Sequence, residues 1–142
     1  MTNEAVLLKE VALPVSYTVA DGTGIEKGTV LKLTDLNTAA ASNGNGDIIA
    51  GIAAQEKIAD NGQTKLAVYE EGDFRMIASG SIAVGDAVGS AGDGSLNYVY
   101  SIQSTGANLS GNVILGIAKE LATDEETLRI KLQPQALRDE RA

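Results

Sequence analysis

Histidine, cysteine and tryptophan are absent from this sequence, which also holds only one phenylalanine and two prolines. The lack of histidine removes the commonest general base near neutral pH and the commonest metal ligand. The lack of cysteine excludes disulfides and thiolate metal sites, so the fold is held by packing alone or by assembly. With four tyrosines as the other aromatics, the interior has to be filled by Val, Ile, Leu and Ala. Positive charge is also scarce: 11 Lys and Arg stand against 19 Asp and Glu, a formal net charge of −8. That balance argues against a nucleic-acid partner, because phosphate neutralisation needs clustered cations, and it repels anionic lipid. No apolar run approaches the ~20 residues of a membrane helix. The first residues lack the basic start, apolar stretch and cleavage site of a signal peptide, so the expectation is a soluble product of the cytoplasm in which it is made, with no membrane partner.

What is present is a pattern written twice. Ile25-x-x-Gly28-x-Val30 leads to Ile48-Ile49-Ala50-Gly51-Ile52-Ala53 and then Lys65-Leu66-Ala67-Val68-Tyr69. Ile82-x-x-Gly85-x-x-Val88 leads to Val113-Ile114-Leu115-Gly116-Ile117-Ala118 and then Leu128-Arg129-Ile130-Lys131-Leu132. The order is kept at an offset of roughly 57 to 65 positions, which reads as two copies of one small β unit. An open array needs at least about three units to bury a continuous face. Two copies therefore close on each other, and the predicted fold is all-β: one compact β-barrel-like domain built from two pseudo-repeats.

Residues 1–19 stand outside the duplicated body as an extended arm or first strand. The β domain spans 20–133, with pseudo-repeats at about 20–75 and 76–133, and 134–142 is a solvated tail. Strands are predicted at Thr29 to Leu33, at Lys65 to Tyr69 with Leu66 and Val68 on one face, at Phe74 to Ala78, at Leu96 to Ile102, and at Leu128 to Leu132 stopping at Pro134. Ala39 to Asp47 reads as a surface loop, and Asp60-Asn61-Gly62 as a hairpin-type turn. At most one or two short helices are expected, at Ala53 to Ala59 and Lys119 to Glu126.

The search for chemistry finds little. No Gly-x-Ser-x-Gly elbow and no Gly-x-x-x-x-Gly-Lys phosphate loop occurs, and Gly22-x-Gly24 lacks the third glycine of a dinucleotide fingerprint. Asp21-Gly22-Thr23-Gly24 and Asp93-Gly94-Ser95 invite comparison with a paired-aspartate protease, but an intervening Gly breaks the order and a turn is the preferred reading. Asn43-x-Asn45-x-Asp47 offers alternate oxygens for calcium, yet Ile48 and Ala54 occupy the places where an EF-hand has Gly and Glu. Glu70, Glu71 and Asp73 read as a solvated turn in preference to a cation cage. No catalytic residue, metal or cofactor is assigned, and the expectation is that the chain is not an enzyme.

The residues do carry a resemblance. Gly51-Ile52-Ala53-Ala54, Asn61-Gly62-Gln63-Thr64-Lys65-Leu66-Ala67-Val68-Tyr69 and Gly72-Asp73-Phe74-Arg75 resemble the body of tailed-bacteriophage head decoration proteins of the lambda type. Ala78-Ser79-Gly80-Ser81-Ile82-Ala83-Val84-Gly85-Asp86-Ala87-Val88 is similar to a stretch of the wider group of phage capsid decoration proteins. Together these cover roughly 15–133. The resemblance implies a β-tulip-like homotrimer on the outer surface of the virion capsid, with the major capsid protein as partner. Val6, Leu7, Leu8, Val11 and Leu13 are then the candidate capsid-binding arm, which would reach ~30 Å if extended at about 3.3 Å per residue. The alternative is an ordinary first strand of the chain's own sheet. Tyr98, Tyr100 and Phe74 are candidate subunit-interface residues. Competing functional readings are a phage fibre or receptor-binding β module and a small β-barrel domain of unknown role.

Overall fold

The computed structural model describes residues 5–10, 12–42, 48–90, 98–102 and 114–135. Among them are eleven strands and no α-helix: β1 (Val6–Glu10), β2 (Val15–Thr18), β3 (Val30–Asp35), β4 (Thr38–Ala41), β5 (Ile49–Ala53), β6 (Lys65–Tyr69), β7 (Gly72–Ala78), β8 (Ala87–Ser90), β9 (Tyr98–Ser101), β10 (Ile114–Ala118) and β11 (Thr127–Gln135). The all-β fold from two repeated units is what the sequence predicts.

Each unit is a closed five-stranded barrel. Barrel one runs β2-β4-β3-β5-β6 and closes through β6 on β2. Barrel two runs β7-β9-β8-β10-β11 in the same topological order and closes through β11 on β7. In each, one pair is parallel, β2 with β4 and β7 with β9. Closure leaves no barrel strand with a bare row of amides.

The repeated glycine explains the repeated motif. Leu31 pairs with Gly51, and Val88 pairs with Gly116. A Cβ on Gly51 would lie 2.2 Å from the carbonyl oxygen of Tyr69, and one on Gly116 would lie 2.0 Å from that of Lys131. Backbone fills the space that any side chain would need. Pairing also corrects the sequence alignment by one residue: Val88 is the counterpart of Leu31, and Ala87, opposite Ile117, is that of Val30, opposite Ile52. Gly28 and Gly85 take φ of 87° and 88°, and each donates its N–H at 2.9 Å to the alanine ending the Gly-Ile-Ala run, Ala53 or Ala118.

Narrow barrels suit a chain poor in aromatics. The interior of barrel one is packed by Ile25, Leu31, Leu66 and Val68 around the small residues Ala39, Ala50 and Ala53. A second, larger core fills barrel two and continues across to Val30, Ile49 and Ile52 of barrel one. β5 is consequently buried along its whole length, one side facing its own barrel and the other facing its neighbour. Tyr69 and Phe74 meet edge to face across the β6–β7 turn, with ring centroids 5.7 Å apart.

Several expectations need correction. Neither Ala53 to Ala59 nor Lys119 to Glu126 is helical: Lys57 pairs backbone to backbone with Ile25, and Ala122 with Ile82, so both segments are pinned in extended form. Asp60 and Glu125, at φ of 60° and 70°, turn each segment back toward its next strand. Thr38 to Ala41 is a strand, not loop, reached by a turn with Asn37 at φ 52°. β11 also runs through Pro134 to Gln135. Its pairing with β10 slips between Gly116↔Leu132 and Ile114↔Gln135, and an irregular register tolerates a residue without an N–H.

Candidate interaction surfaces

Val6–Glu10 is the first strand of the chain's own sheet. β1 lies antiparallel on β7, with Leu7 opposite Phe74 and Glu10 opposite Gly72. Ala5 donates its N–H to Gly28 of barrel one at 2.9 Å, and Leu7 packs on the larger core. Beyond β1, no described strand pairs with its other edge. Val6 is 55 % exposed, Leu8 is exposed, and Leu13 is 78 % exposed. Val15, at the start of β2, is exposed as well. Four of the nine exposed large hydrophobics among the described residues thus fall within residues 6–15, two of them, Val6 and Leu8, on β1 itself. Val11 lies outside the described residues.

Two of the three candidate interface aromatics are not at the surface. Phe74 is 1 % exposed and Tyr100 is 7 % exposed, each enclosed by its own protomer's packing. Burial also pushes the pKa of the Tyr100 phenol up. Only Tyr98 is partly open, with its hydroxyl donating to Glu125 at 3.3 Å.

The acidic groups singled out in the sequence are dispersed. Among the described residues no three Asp or Glu gather in a way that could hold a metal ion. Asp73 pairs with Arg129 of β11. Glu70 accepts the Tyr17 hydroxyl at 2.5 Å, and burial followed by that carboxylate pushes the Tyr17 phenol up to about 12. Asp21 is engaged in structure: its carboxylate accepts the Gly62 N–H at 2.8 Å, and its backbone oxygen accepts the Nζ of Lys57 at 2.6 Å. Asp93, Asn43, Asn45 and Asp47 lie outside the described residues.

Two features were not foreseen. The Lys57 side chain is fully buried, its ammonium shared among the Asp21 backbone oxygen, the Ile58 oxygen at 3.1 Å and the Asp21 carboxylate at 3.4 Å. The sequence carries no signal for it, since Ala53 to Ala59 reads there only as a short helix. The second is a recess of about 340 Å³ between the barrels. Leu33, Ile49 and Ala50 form its floor, and Tyr17, Glu70, Glu71 and Gln133 of β11 its rim.

Comparison with known proteins adds a fold. The chain folds like a phage head-fibre base. The N-terminal base of head fibre gp8.5 of bacteriophage phi29 superposes with a TM-score of 0.52 at 17 % identity, covering 88 % of this chain and 98 % of that one. No protein-family model and no curated protein matches the sequence. The likeness to the gp8.5 base therefore lies in the path of the backbone and spans both barrels.

Proposed function

We propose that this chain is a structural protein of a phage head, a cementing or decoration protein that binds the outer surface of the capsid as a homotrimer and stabilises the expanded shell. The observation that carries this reading is the fold shared, over nearly the whole of both chains, with a protein whose own place is a phage head. The residue content supports it, since the chain offers neither histidine nor cysteine for turnover. So does β1, whose outer edge pairs with no other described strand and whose exposed Val6 and Leu8 suit strand addition to the major capsid protein.

The mechanism is thermodynamic. A protein that binds only the expanded lattice stabilises it by mass action, about 2.7 kcal/mol per site at a hundredfold excess over its dissociation constant. Three such edges on one trimer make each further contact effectively intramolecular, so release of the whole is slow. A second reading, the base of a head fibre, is favoured by the identity of the structural neighbour.

Cosedimentation of the full chain with expanded heads lacking it tests the proposal. Binding at saturable copy number is expected, with Leu8→Asp weakening it by roughly tenfold or more through a charge placed on the apolar edge. Light scattering should report a trimer. Absence of binding to any matched head refutes the proposal, while occupancy restricted to a few sites per head, seen in a particle reconstruction, favours the fibre base.

A further inference from the structure

We propose that the recess between the barrels is a socket for an arginine side chain of a partner protein. This deepens the docking role proposed above by naming a specificity contact apart from the β1 edge.

The recess has the parts that a guanidinium on a methylene stem needs. Leu33, Ile49 and Ala50 give a floor along which an alkyl stem can lie while its charged head stays at the rim. At the rim are Glu70 and Glu71, and no Lys or Arg lines the recess among the described residues. Glu71 has no hydrogen bond or ion pair with any described residue. Glu70 is fixed by the Tyr17 hydroxyl at 2.5 Å, which engages one carboxylate oxygen and leaves the other for a donor. Tyr17 also supplies an aromatic ring, on which a planar guanidinium stacks better than an ammonium. Because the chain carries a net charge of −8, a cationic partner is drawn to it before contact. The fork of an arginine matches a carboxylate in two parallel hydrogen bonds, which selects it over lysine.

The geometry also explains why the acidic turn is split. Asp73 faces Arg129 and is neutralised within the chain, whereas Glu70 and Glu71 face the recess and are left with net negative charge. A turn serving only solubility has no need of an apolar floor beside it.

The test is titration of the full-length protein with acetyl-arginine amide, followed by amide and methyl chemical shifts, with acetyl-citrulline amide as the uncharged analogue of the same shape. Saturable shifts confined to Tyr17, Leu33, Ile49, Ala50, Glu70, Glu71 and Gln133 are expected with the arginine probe and not with citrulline. Loss of the charge-assisted contacts in the Glu70→Gln/Glu71→Gln double variant should weaken binding about tenfold. Glu71→Gln alone, at an exposed position without bonds to any described residue, should weaken it while leaving the spectrum folded. No saturable shift, equal response to citrulline, shifts spread over the acidic surface, or unchanged affinity in Glu71→Gln would each overturn the socket. The measurement needs no phage head, so failure to bind heads would refute the docking role without touching this result, and the reverse also holds.

Discussion

Replacing Gly116 by alanine should damage this protein more than replacing Gly85, although Gly85 has the more restrictive backbone. At Gly85 φ is 88° and an added Cβ meets nothing within 4 Å, so the penalty is conformational, about 1–2 kcal/mol for an L-residue held in the left-handed region. At Gly116 an added Cβ sits 2.0 Å from the Lys131 oxygen, 2.9 Å from the Lys131 carbonyl carbon and 3.2 Å from the Leu132 Cα. All three are main-chain atoms of β11, so no side chain can swing aside. Relief requires β10 and β11 to part, which adds overpacking strain of roughly 1–3 kcal/mol to the loss of one or two ladder hydrogen bonds at about 1 kcal/mol each. The sum, roughly 2–5 kcal/mol, corresponds to a fall in Tm of roughly 6–20 °C at this chain length. Calorimetry on Gly116→Ala and Gly85→Ala side by side decides it. Equal melting temperatures, or a larger loss at Gly85, would refute the account of why the Gly-Ile-Ala motif is written twice.

The remaining predictions concern the places where the two barrels differ. Asp86, the counterpart of Thr29, accepts the Ser101 hydroxyl at 2.8 Å, but Ser101 corresponds to Ala41, and the buried Thr29 Oγ1 is left without a partner. Ala41→Ser should therefore stabilise the protein by about 1 kcal/mol in chemical denaturation. Lys57→Met removes the buried ammonium from the Asp21 and Ile58 oxygens and should destabilise by about 2–4 kcal/mol, read from the urea midpoint. Tyr17 titrates at about 12 in the fold against 10.0 otherwise, so the stability that it contributes is fully present below pH 10 and is lost as pH climbs from 10 to 12. Tyr17→Phe should flatten that alkaline limb in melts taken across this window.

Much of the fold was legible because the β signal is carried by alternation and by spaced glycines. Leu66 and Val68 are buried and Lys65 is exposed, as period-two patterning requires. β4 was not legible, since Thr-Ala-Ala-Ala has few of the β-branched and aromatic residues that mark a strand, and its one buried residue, Ala39, packs in the core of barrel one. The two misread helices share one cause. Single isolated bridges, Ile25 with Lys57 and Ile82 with Ala122, hold them extended, and a two-residue contact leaves no periodicity behind. Phe74 and Tyr100 could not be told from interface aromatics, because a core and a subunit boundary demand the same side chains. The recess was half legible: Glu70 and Glu71 stood out as an acidic turn, but Leu33, Ile49 and Ala50 come to them only through barrel closure.

β1 precedes barrel one in the sequence, yet its partner belongs to the second barrel, Val6 lying against Arg75. During synthesis barrel one can close while β1 still waits for β7 to emerge, so a strand made before that barrel is seated only after β7 has been made. In that interval a nascent neighbour on the same message can offer its own β7 instead. Chains made close together are thereby given a route to exchange their β1 strands, and the Lys9→Cys/Asp73→Cys pair, in a sequence with no other thiol, would record whether the crosslink forms within one chain or between two.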